Sequence, residues 1–243
     1  MSGYQAYPSA SGGRRRRPLR TLLIVVIVLL AVLVAADFAA RAVAQNEVAT
    51  QIKSQGFPKK PDVSIKGFPF LTQLAGRDFH QVTISSGKVP EGPVTLETVD
   101  AVLNGVHVNS SFNGATVDRL TGTAVITFPE IANALTSEAG PLGSLVGSTG
   151  LTLTSVGGNE VRADVNLLIT SFSATWRVTS LSGNVIDVKL VSSNGLPSSV
   201  LSSVSNIKVP LSGLPLGLKI DSVTVTPDGV VGHLSGQNVT FGG

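Results

Sequence analysis

The chain has no cysteine among its 243 residues. That excludes disulfides, thiol catalysis, zinc–thiolate sites and thiolate-ligated iron–sulfur clusters. Charge is scarce as well, at 14% of residues against the roughly 25% usual for soluble domains. Histidine occurs only as His80, His107 and His233. Asp78 and His80 would share one face of a strand, but two ligands do not make a metal site, so no metal is expected. No G-x-S-x-G elbow, P-loop or G-x-G-x-x-G is present. With titratable residues this sparse, the expectation is a non-enzyme with no catalytic residue and no cofactor.

What the chain has instead is apolar residues, 42% of the total, with 26 Gly and 13 Pro spread along it. That mixture argues against both disorder and a long coiled coil. The charge that exists is segregated. Arg14, Arg15, Arg16, Arg17 and Arg20 precede Asp37 with no acid among them, leaving 13 basic against 15 acidic residues in the remainder. The basic character therefore belongs to a tail, and nucleic acid is not an expected partner.

Directly after the arginines, Leu22 to Ala36 is an unbroken apolar run. As a helix it reaches about 22 Å, short of the roughly 30 Å hydrocarbon core unless flanking residues extend it and Arg20 and Arg41 snorkel. Residues 1–18 are expected to be a disordered cytoplasmic tail and 19–40 a transmembrane anchor. A cleaved signal peptide is the rival, Ala42-Val43-Ala44 fitting its cleavage site in letters. Under either reading the positive-inside rule leaves residues 41–243 outside the cytoplasm.

From Asp37 to Gln55 there is no Gly or Pro, and Ala40, Ala44, Val48 and Ile52 recur every four residues with Val43 beside them. This predicts an amphipathic helix continuing from the anchor, stopped at Gly56. Beyond Pro61 the period becomes two, as in Val82–Ser85, 123–128, 161–169 and 172–179, which predicts half-buried antiparallel strands. The phase flips at Thr98-Val99, predicting a β-bulge. Pro227-Asp228-Gly229 predicts a hairpin turn. Pro129 with Ile131 and Leu135, and Pro197 with Val200, Leu201 and Val204, predict two short helices. Gly140 to Gly150 reads as a mobile loop, and similar content on its two sides hints at a weak duplication.

Four of the nine Phe (Phe57, Phe68, Phe70, Phe79) fall between residues 57 and 79. Two readings stand: a core plug closing one end of a β-layer, or an aromatic loop that accepts acyl chains while Lys66 and Arg77 face phosphate. The segment Gly67-Phe68-Pro69-Phe70-Leu71-Thr72-Gln73 with Gly76-Arg77, the Ala-rich helix from Asp37 and the C-terminal VTVTPDGVVGHLSGQNVTF together resemble the actinobacterial LmeA-like family of phospholipid-binding proteins. The resemblance covers roughly Asp37 to Phe241. It implies an α+β, β-rich fold in which a long helix is wrapped by a curved antiparallel sheet, the tubular (TULIP-like) lipid-binding architecture. It also implies a phospholipid or related envelope lipid as partner and a link to cell-envelope lipid and lipoglycan maturation. Lys66, Phe68, Phe70, Leu71 and Arg77 are the candidate lipid-binding residues. The leading expectation is a membrane-anchored, single-pass, extracytoplasmic lipid-binding protein, with lipid transfer as an extension. A non-lipid structural or interaction domain of the envelope is second, an envelope hydrolase third.

Overall fold

The computed structural model describes residues 18–54, 58–91, 94–137, 151–166, 171–181, 185–196, 198–210 and 218–242. The expected tail before Pro18, the glycine-rich loop 140–150, Phe57 and Pro197 lie outside the described residues. The first element is one continuous helix, α1 (Pro18–Ser54), and it has two regimes. Its large apolar residues from Leu22 to Val34 are all 41–61% exposed. From Asp37 onward the same helix joins the domain: Asp37 and Ala49 are buried, and Ala40, Ala44 and Ile52 pack into a core.

Three of the four repeat positions, Ala40, Ala44 and Ile52, pack on the core as the repeat predicts. Val43 and Val48 are exposed, and Ala49 takes the inward position.

Among the described residues, eleven strands form two antiparallel sheets. The first has the order β1-β2-β3-β4-β11-β10, from β1 (Asp62–Lys66), β2 (Asp78–Glu91), β3 (Val94–Val108), β4 (Gly114–Thr127), β10 (Lys219–Val225) and β11 (Gly229–Gly242). The second runs β5-β6-β7-β8-β9, from β5 (Leu151–Gly157), β6 (Glu160–Asn166), β7 (Ser171–Leu181), β8 (Val185–Asn194) and β9 (Asn206–Pro210). Three short helices complete the described residues: α2 (Phe70–Gly76), α3 (Phe128–Ser137) and α4 (Ser198–Val204). The chain does not divide into two sequential halves, because β10 and β11 return to the first sheet beside β4. The predicted turn at Pro227-Asp228-Gly229 joins them, closed by the Thr226 N–H on the Gly229 carbonyl at 2.8 Å.

Alternation in the first sheet breaks in a row across four strands. His80, Gly105, Asp118 and Asn238 oppose one another on β2, β3, β4 and β11. The buried residues flanking that row are three apart rather than two: Phe79 and Val82, Leu103 and Val106, Val117 and Leu120, Gly236 and Val239. Gly105 and Asn238 reach this through positive φ, 63° and 51°. At Gly105 a side chain would also collide with Asp118, a Cβ lying 2.1 Å from its Oδ2. The bulge expected at Thr98-Val99 is absent, since β3 pairs through both residues without a register shift. The irregularity belongs to the neighbouring strand, where Lys88 has φ 54° opposite Glu97.

Candidate functional site

The first core is filled. Phe70 is fully buried, its ring 6.0 Å from that of Phe79, in a cluster with Ile65, Val117, Val239 and Ala49 of α1. Asp37 joins α1 to this knot by accepting the amide N–H of Phe70 (2.9 Å) and of Leu71 (2.7 Å). It thereby satisfies free donors at the start of α2. Arg41 lies over the Phe38 ring and donates to the Gly67 carbonyl. Buried Gln73 accepts the His80 amide at 3.2 Å. Gly67 has φ 98°, and a Cβ there would sit 2.7 Å from Gln73 Nε2. The Gly67–Gln73 motif is thus the joint where α1, β1, α2 and β2 meet.

The sequence-predicted residues part company at this joint. Phe70 is core, as the plug reading has it, whereas Phe68 is 59% and Leu71 38% exposed. Lys66, at the end of β1, and Arg77, the left-handed residue after α2, are exposed too. Asp78 does not pair with His80; it faces His107 at 3.5 Å, which also meets Asp118 at 3.3 Å.

The open space lies elsewhere, between the two sheets. A cavity of about 440 Å³ is walled on one side by β6, β7 and β8, including Val161, Ala163, Ala174 and Trp176. On the other side stand Val94, Ile126, Val223 and Val230 of the first sheet, with Ile131 and Leu135 of α3. Among the described residues, every one that lines it except Ser173 is apolar. The one indole N–H is consumed by the Val204 carbonyl at 2.9 Å, so Trp176 offers the cavity hydrocarbon and ring. None of Lys66, Phe68, Phe70, Leu71 or Arg77 lines it.

The space is kept open by residue size. Ala163 and Ala174 are direct cross-strand partners, both buried and both facing the cavity, where larger side chains would meet in the middle. Such walls offer no acid, base or ligand for a metal. They suit a hydrocarbon chain, gaining about 0.8 kcal/mol for each methylene taken from water, in a volume inside the roughly 300–1,000 Å³ range of ligand sites.

One turn residue clasps the sheets beside this cavity. Asn159, at φ 61° between β5 and β6, donates from Nδ2 to the carbonyls of Val178 on β7 and, at 2.9 Å, Val223 on β10. Its Oδ1 accepts the Val225 N–H at 2.5 Å. Val178 and Val223 both line the cavity. Asn159→Gly keeps the left-handed backbone free of strain and removes only the clasp. The expected outcome is a loss of about 1–3 kcal/mol in denaturant unfolding and faster release of bound lipid, read by following both on one preparation.

The model of the LmeA-like phospholipid-binding family matches residues 35–235. The chain belongs to the LmeA-like phospholipid-binding family. The match starts at Ala35, one residue before the apolar run ends, and takes in the second sheet, the first sheet as far as Ser235 within β11, and the described residues that line the cavity. No curated protein and no solved structure matches the chain. The Gly67–Gln73 motif on which the resemblance rests is in this LmeA-like fold a packing joint, and the apolar cavity of the same domain was not singled out by any motif.

Proposed function

We propose that the protein is a membrane-anchored, extracytoplasmic phospholipid carrier that holds acyl chain in the cavity between its sheets and acts without a cofactor or catalysis. The observation that carries this is the 440 Å³ cavity with apolar walls in a chain of a phospholipid-binding family. Because no lining side chain among the described residues is charged, the tail enters and the head group stays at the mouth, so chain length governs binding more than head-group identity. The exposed run of α1 is read as the anchor, with the five arginines on the cytoplasmic side. The long helix packed on an antiparallel sheet supports a TULIP-like reading of the fold, and a role in envelope lipid or lipoglycan maturation follows from the family resemblance.

The test is to purify the full chain from cells in a detergent too mild to strip lipid and to extract it with organic solvent. Phospholipid at about one acyl-chain pair or less per protein chain is expected, enriched over the surrounding detergent micelles. Extracts no richer in lipid than a control membrane protein would favour the structural-domain reading.

A further inference from the structure

We propose that Phe38, Phe68 and Leu71 form a seat on which the domain rests in the surface of the membrane that α1 enters, with Lys66 and Arg77 meeting the phosphates of anionic lipids. The inference rests on the reading of Leu22 to Ala36 as the anchor.

Three rings of observation converge on this seat. First, it is continuous with the apolar run: α1 is a single helix, and Phe38 follows Ala36 by about 3 Å of axial rise. Phe68 stacks on Phe38 at 6.1 Å between centroids, and Leu71 is held beside them because its own N–H binds Asp37. All three are exposed, at 54%, 59% and 38%, so apolar surface is gathered where the helix leaves the run. Second, the carboxylate next to the seat is turned away, and Arg41 is held over the Phe38 ring and on the Gly67 carbonyl. Asp37 is 3% exposed and spends both oxygens on the amides of Phe70 and Leu71. Third, lengths fit. The run covers about 22 Å of a hydrocarbon core about 30 Å thick, and groups that lie in the interface sink about 5–10 Å. A seat at that depth supplies the missing span, and exposed Lys66 and Arg77 place cations where anionic head groups lie.

Since the chain has no cysteine, single-cysteine probes report cleanly. Leu71→Cys, Val28→Cys within the run and Val156→Cys on the second sheet, which is 51% exposed, are each labelled with a polarity-sensitive fluorophore. The full chain is then reconstituted into vesicles of phosphatidylglycerol and phosphatidylcholine carrying brominated acyl chains. Quenching at 28 and 71 but not at 156 is expected. Adding Phe68→Ser should reduce quenching at 71 by at least half, and adding Lys66→Gln with Arg77→Gln should reduce it in phosphatidylglycerol but not in pure phosphatidylcholine. Quenching at 28 with a water-exposed probe at 71 overturns the seat and leaves the anchor standing. A probe at 28 that stays in water overturns the anchor reading and the seat with it.

Discussion

Phe70→Ala is expected to cost about 3–5 kcal/mol, the loss seen when a buried Phe is truncated, while leaving bound lipid per folded chain unchanged. The ring has no exposed surface and packs on Phe79 within the core that joins α1 to the first sheet. The walls of the cavity do not include it. For a domain of this size that loss lowers the melting temperature by roughly 2–4 °C per kcal/mol, hence by about 10 °C. Phe68→Ala, two residues away and more than half exposed, should change stability by no more than about 0.5 kcal/mol. Melting curves and extracted lipid measured on the same preparations separate the two residues. Lipid loss at an unchanged melting temperature for Phe70→Ala would move that ring from the core to the ligand site.

That contrast shows where letters stop carrying information. Phe68 and Phe70 are the same residue type in one short motif, and only the register of α2 against Asp37 decides that one is core and the other surface. The helix from Asp37, the alternating strands and the Pro227 turn were legible because each is a local periodicity or a turn chemistry. The role of Asp37 was not, since its partners lie 33 and 34 residues away. The row His80, Gly105, Asp118 and Asn238 left a faint trace in Gly105 and Asn238, residue types that tolerate positive φ. Its effect on facing appears only when four strands are set side by side. The cavity was hidden for another reason: alternating strands fill a solid core or line a hollow one with the same letters. The one signal was smallness, Ala163 and Ala174 standing among Val, Phe and Trp on the inward faces of neighbouring strands.

The two apolar features of the fold also lie apart. Gly114 begins β4 at the end of the first sheet where Val108 donates to the Arg77 carbonyl, close to the seat. Ile126, near the other end of the same strand, lines the cavity. Twelve residues of strand separate them, about 40 Å along the chain. The proposed membrane seat and the proposed acyl-chain site therefore lie at opposite ends of one sheet, so changes at one are expected to leave the other intact.

The cavity itself is tested most sharply by filling it. Ala174→Phe projects a ring toward Ala163, its partner across β6 and β7, into the cavity. In a filled core such an insertion costs about 1–3 kcal/mol through strain. Here the ring has somewhere to go, so the melting temperature should hold or rise. A ring that displaces three or four methylenes of a bound chain removes about 0.8 kcal/mol for each. At about 1.4 kcal/mol per tenfold, the expected drop in phospholipid affinity is on the order of a hundredfold. Thr175→Phe, the next residue on β7 and absent from the cavity wall, adds the same ring outside the cavity and should leave affinity unchanged. Titration of the two variants with a fluorescent phospholipid, alongside their melting curves, separates a ligand cavity from a packing void. A folded Ala174→Phe protein that binds lipid as tightly as the native chain would show that the acyl chain lies somewhere other than between the sheets.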